Sequence, residues 1–254
     1  MRYYYDMHIH TALSPCGDAD MTPNNVVGMA QLCGLDILAV TDHNTCGNCA
    51  AVMEVGQAAG LTVLPGMELC TAEEIHVVCL FPALSAAQAF EQEVVRHRPD
   101  IANRPDIFGE QQRLNARDEL VGTEPVLLLT ATGLSLEHVL PLARTHGGTA
   151  FPAHIDRDSY SVPAALGDIP PGFPAVEITA EGDVADDAAV ADEAAGAIDE
   201  AAGTEILDDE NPLAAADHSS SWLSWLLTIG LLLVVCFGIF FLIRRRKNTR
   251  EQNQ

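Results

Sequence analysis

Basic residues are scarce in this sequence: 13 Lys and Arg stand against 36 Asp and Glu among 254 residues, a formal net charge of −23. Phosphate backbones are gripped by Lys and Arg. No basic stripe is present to do so, and duplex nucleic acid is not expected as a partner. An apolar leader is also missing. Met1-Arg2-Tyr3-Tyr4-Tyr5-Asp6 holds no h-region, which argues against a cleaved secretory signal. Without export, Cys16, Cys33, Cys46, Cys49, Cys70 and Cys79 are expected as reduced thiols, and the odd total of seven cysteines fits that expectation. A second CxxC is absent too. Cys46-Gly47-Asn48-Cys49 therefore lacks the companion of a four-cysteine zinc site, and a redox pair, a half-site and ordinary helix-start cysteines all stay open.

What is present is an alternation of apolar strands and amphipathic helices. In Tyr3 to His10, read as a strand, His8 and His10 share one face, because side chains alternate with a period of two. A loop of small and turn-forming residues, Thr11 to Asp20, brings carboxylates nearby. Thr22 and Pro23 then look like the cap and first position of a helix that runs to Gly34. The buried run Leu35 to Thr41 ends in Asp42-His43-Asn44. A helix over 49–59 and a strand over 61–67 close on Glu68. The run Ile75 to Phe81 carries His76. Ser85 to Arg96 reads as a helix and Pro99 to Asn115 as a polar excursion. After the run Val126 to Leu129, Ser135 caps a further helix. The strand Thr149 to Ala153 delivers His154, Asp156 and Arg157, and Ala175 to Ile178 fits one more short strand. Such an order predicts an α/β domain with a mainly parallel sheet, bearing its chemistry at strand ends as α/β barrels do.

The composition changes after residue 179. Residues 180–221 are rich in Ala, Asp and Glu, and the first part, to about Asp217, has no lysine, arginine or aromatic residue. This composition predicts a disordered acidic linker. Trp222 to Ile243 is apolar throughout and about the ~20 residues long that a bilayer requires, with Trp222 and Trp225 at one end and Arg244-Arg245-Arg246-Lys247 at the other. The expectation is a single-pass membrane protein, with the lipid bilayer as a partner of that helix and 244–254 as a basic, polar tail. The missing export signal places the catalytic domain in the cytoplasm, whereas the basic tail, taken alone, would place it outside.

Collected along the chain, the candidate ligands are His8, His10, Asp18, Asp42, His43, Glu68, His76, His154 and Asp156. Imidazole and carboxylate together suit zinc, manganese or iron. Several ions with mixed ligands point to hydrolysis, in which one ion lowers the pKa of a water and another neutralises phosphate charge.

His8-Ile9-His10, Thr41-Asp42-His43-Asn44, Pro65-Gly66-Met67-Glu68, Glu74-Ile75-His76 and Pro152-Ala153-His154 resemble, in order, the motifs of the PHP (polymerase and histidinol phosphatase) family. The resemblance covers about residues 1–179. It implies a distorted, TIM-like (β/α)7 barrel holding two or three divalent ions (zinc, manganese, iron or magnesium) and hydrolysing phosphoesters with a metal-activated water. By the same resemblance, His8, His10, Asp18, Asp42, His43, Glu68, His76 and His154 are metal ligands, with Glu68 as the bridging carboxylate. Asp18 and Arg157 are the catalytic candidates; Arg157 would meet a substrate phosphate, unless it forms a surface ion pair. The substrate class is a phosphorylated small molecule or a nucleotide. One departure stands out: the family's closing Asp-x-His pair does not follow Ile178, where the acidic stretch begins instead. The barrel is therefore expected to be incomplete. The alternative to an enzyme is a catalytically degenerate binding or regulatory module tethered to a membrane.

Overall fold

The computed structural model describes residues 2–179, and all structural statements concern those residues. Strand β1 (Tyr5–Ile9) leads into α1 (Pro23–Leu32). There the Thr22 hydroxyl accepts the Asn25 amide and a proline occupies the first turn, which together fix the helix start. Next come β2 (Ile37–Val40), α2 (Cys49–Ala59), β3 (Thr62–Cys70) and β4 (His76–Leu80). Helix α3 (Leu84–His97) and the single turn α4 (Pro105–Phe108) precede a hairpin of β5 (Gln112–Leu114) and β6 (Leu120–Thr123). Helix α5 (Leu136–Thr145), β7 (Thr149–Pro152) and α6 (Val162–Leu166) follow.

The main sheet has the order β1-β2-β3-β4-β7 and forms a curled half-barrel, so the expected α/β class is borne out. Its strand directions correct the mainly parallel expectation. β1, β2 and β3 run parallel, but β4 is antiparallel to β3 and β7 antiparallel to β4. The reason is the connection Thr71–Ile75, too short for the dozen or more residues a parallel crossover needs. It closes as a turn in which Thr71 Oγ1 accepts the Ile75 amide at 3.2 Å.

Alternation along the strands divides the apolar side chains between two faces. Leu38, Val40, Met67, Leu69, Val77 and Cys79 join one core with residues of α1, α2, α3 and α5. The intervening Ala39, Val78 and Leu80 form a second, smaller cluster with Ala153. Helices thus cover one side of the sheet, and the polar strand ends are left to meet.

The excursion after α3 is pinned beside those ends by buried amides. Asn44 donates to the carbonyls of Leu128 and Thr130 and accepts the Cys70 amide. Asn48 donates to Gln112 and accepts from Leu114. The run Val126–Leu129, apolar as it is, forms only an isolated bridge with Ala102. Residues 175–178 are not assigned as a strand, yet Glu177 donates its amide to Pro152 and accepts the amide of Ile155, continuing along the end of β7.

The expected single-pass membrane localisation is corrected: among the described residues no helix is long and apolar enough to cross a membrane. The longest, α3, has 14 residues. At ~1.5 Å per residue it falls well short of a ~30 Å hydrocarbon core, and Glu91, Glu93 and Arg96 interrupt its apolar face. The stretch 222–243, the linker before it and the tail after it lie outside the described residues.

Candidate metal centre

Glu68 stands near the end of β3, buried to 1% exposure. Gly66 lets β3 come this close to its neighbour, since a Cβ there would meet the Cys79 carbonyl oxygen at 2.5 Å. Five imidazoles surround the Glu68 carboxylate. Oε2 lies 3.3 Å from His8 Nε2, 2.9 Å from His10 Nε2 and 3.1 Å from His43 Nδ1. Oε1 lies 2.8 Å from His76 Nδ1 and 3.1 Å from His154 Nε2. Three strands, β1 (His8), β3 (Glu68) and β4 (His76), and the residues following β1 (His10), β2 (His43) and β7 (His154) supply these groups.

The donor set fits divalent ions. Three overlapping groups, His8/His10/Glu68, His43/Glu68/His76 and His10/Cys16/His43, each bring their ligand atoms within 4.8 Å of one another. His43 Nδ1 and His154 Nδ1 are buried without a hydrogen-bond partner. Orphaned buried polar atoms cost about 1–3 kcal/mol each, a penalty that a shared cation offsets. His154 is also held at φ 31°, a backbone conformation rare for side-chain-bearing residues.

Without an ion, protons take the cation's place. Burial opposes charge on His8, but hydrogen bonds to Glu177 and Glu68 outweigh it and raise its pKa to about 9. Burial likewise opposes charge on His10, and contacts with Cys16 and Glu68 raise it to about 10. Burial lowers His43 to about 3. Burial would raise Glu68, but its histidine partners hold it well below the usual carboxylate range.

The linkage has a definite sign. Above an unfolded-chain histidine value of ~6.5, His8 and His10 keep the folded state more protonated, so stability falls as pH rises through about 9 to 10. Below ~6.5 the unfolded chain takes up more protons, because His43 and then Glu68 resist protonation when folded, so stability falls as pH drops. The melting temperature of the metal-stripped protein is therefore expected to peak near pH ~6.5. Loading a divalent ion, which displaces those protons, should flatten the alkaline decline. Melting curves from pH ~4 to ~10 check this, and a metal-stripped profile that stays level on the alkaline side would contradict it.

Not every residue nominated from the sequence reaches this cluster. Asp42 is buried with both oxygens occupied: Oδ1 accepts from the Thr11 amide and Ser14 Oγ, Oδ2 from Thr11 Oγ1, each at 2.7 Å. It clamps the loop after β1 instead of facing the imidazoles. Asp18 is exposed and accepts the Asp20 amide. Asp156 accepts from the amide and hydroxyl of Thr179. Arg157 is exposed just beyond His154. Burial pushes the Cys46 and Cys49 thiols upward, and Cys46 lies against Glu91. Burial thus favours the neutral thiol at both positions.

Three residues that no motif flagged do reach the site. Glu177 Oε2 accepts from His8 Nδ1 at 2.8 Å and from the His154 amide at 3.1 Å. Tyr160 stacks on His76 with ring centroids 4.6 Å apart. Cys16 Sγ lies 2.8 Å from His10 Nδ1. The sequence signal for Glu177 was a single acid inside the apolar run Ala175–Ile178; nothing comparable marks Tyr160 or Cys16.

Comparison with known proteins agrees with this geometry. The family description PHP domain matches residues 6–148, more than half of the chain. The 5'-3' exoribonuclease Rnm of Salmonella typhimurium is 37% identical over 81 residues, which is 30% of this chain and 27% of that protein. The chain spans less than half the length of the curated relatives it matches. Among solved structures, the lesion-specific endonuclease PfuEndoQ from Pyrococcus furiosus aligns with a TM-score of 0.49 at 19% identity, over 73% of this chain and 44% of its own. An Endonuclease Q complex with a 27-mer duplex aligns at 0.48 and 19%, over 73% and 45%. The expectation that excluded duplex nucleic acid gains no support from these proteins.

Proposed function

Because the chain belongs to the PHP domain family, we propose that its described domain hydrolyses phosphoesters, as a phosphatase or phosphodiesterase, using two or three divalent ions. His8, His10, His43, Glu68, His76 and His154 would hold them. The observation that carries this reading is one buried carboxylate with five imidazole nitrogens within 3.3 Å.

Bound ions of this kind lower the pKa of a water and neutralise charge on phosphoryl oxygens. The chain's own residues do the positioning. Glu68 faces all five imidazoles and keeps neighbouring ligands in register. Glu177, bonded to His8 Nδ1, fixes that ring so that Nε2 points toward Glu68. Tyr160, half exposed and stacked on His76, offers a flat wall to a substrate ring. Arg157, exposed and three residues beyond His154 in sequence, would meet a substrate phosphate.

The test is hydrolysis of aryl phosphate mono- and diesters, and of single-stranded RNA because a relative is named an exoribonuclease. Metal-stripped protein is to be compared with protein reloaded with manganese or zinc. Turnover is expected after reloading and not before. Less than one ion per chain together with no turnover would overturn the reading. Full metal content without turnover would favour a binding module, in keeping with the missing Asp-x-His after Ile178.

A further inference from the structure

We propose that Cys16 supplies a thiolate to an ion held jointly with His10 and His43, giving the centre one sulfur-ligated position that favours zinc over manganese or magnesium. This rests on the metal-centre reading above and adds to it a ligand and a selectivity. Cys16 Sγ is 2.8 Å from His10 Nδ1, and the sulfur, one nitrogen of His10 and one of His43 lie within 4.8 Å of one another. Around a tetrahedral zinc, with Zn–S of about 2.3 Å and Zn–N of about 2.0 Å, such atoms sit about 3.5 Å apart. The trio can close on one ion through side-chain adjustment alone. His43 is 4% exposed, and its Nδ1, 3.1 Å from Glu68 Oε2, makes no hydrogen bond there, so this buried imidazole is left to a cation where the Cys16 group adjoins the Glu68 cluster.

The backbone holds Cys16 in this place. The Ser14 amide donates to Thr11 and the Gly17 amide to Ser14, so the chain doubles back after β1. A Cβ at Gly17 would lie 2.2 Å from the Thr11 carbonyl oxygen, so glycine is required for the turn. Asp42 clamps Thr11 and Ser14 from behind. Cys16 is exposed but turned toward His10, whereas two residues further on Asp18 turns toward Asp20. On binding, the Cys16 S–H bond breaks, a sulfur–zinc bond forms and the proton leaves to solvent. Thiolate is a soft donor that selects zinc, whereas manganese and magnesium prefer oxygen.

Cobalt(II) in place of zinc tests this in the full chain, because thiolate ligation gives a charge-transfer band in the near ultraviolet while elemental analysis counts the ions. The wild-type protein should show the band. Cys16→Ser should retain cobalt at the histidine and Glu68 ligands yet lose the band, and its zinc affinity in chelator competition should fall at least about tenfold. In Cys16→Asp, manganese should gain on zinc. Bound cobalt without the band, or a band that persists in Cys16→Ser, would overturn the inference and leave the metal centre standing. If the wild-type protein binds no ion at all, both fall together.

Discussion

Glu68→Gln is expected to empty the metal centre and abolish hydrolysis while leaving the fold in place. The substitution keeps the side chain's shape but removes the charge that faces His8, His10, His43, His76 and His154. It also replaces one acceptor oxygen with a donor amide that points at imidazoles. Losing an outer-shell partner of a metal ligand typically costs 10–100-fold in affinity. Glu68 would touch the ions directly, so the expected loss is on the order of 1,000-fold, both in affinity and in turnover. Metal content by elemental analysis and chelator competition measures the first, and hydrolysis with excess manganese or zinc the second. Wild-type ion content in Glu68→Gln would show that the carboxylate is not the hub of the centre. The variant should also lose part of the alkaline decline in metal-free stability, since one of the carboxylates that keep His8 and His10 protonated is gone while Glu177 and Cys16 remain.

Asp42→Ala should do the opposite, destabilising the fold more than it weakens metal binding. Its carboxylate accepts three hydrogen bonds in a fully buried setting, and Thr11 Oγ1 is further engaged by the Asn48 amide and the Leu13 amide. Removing it leaves buried donors on Thr11 and Ser14 unpaired, at a cost of about 3 kcal/mol in all. For a domain of this size that corresponds to a fall of about 6–12 °C in melting temperature. Measurement on metal-stripped protein keeps ion binding from masking the loss. If Asp42→Ala lost its ions but kept its denaturation midpoint, Asp42 would be a ligand after all and the clamp reading would fail.

Much of this protein was legible without coordinates, wherever the signal is local. The period of two placed His8 and His10 on one face, and buried apolar runs placed His43, Glu68, His76 and His154 in or just after strands. Thr22-Pro23 marked the start of α1, and the motif order pointed to the family whose description matches residues 6–148. Backbone geometry dictates these features within a few residues, so neighbouring side chains suffice to reveal them.

Tertiary structure alone decided which acids and thiols join the cluster. Asp18 lies in the loop after β1 and Asp42 just after β2, yet one turns to solvent and the other clamps that loop, while Cys16 reaches His10. Glu177 meets His8 across 169 residues of chain, a partnership that no local pattern records. A carboxylate near a strand end has several competing hydrogen-bond partners of similar strength. The choice among them depends on how the loops fold back and on which strands become neighbours, and that is settled only when the sheet curls and brings its ends together around Glu68.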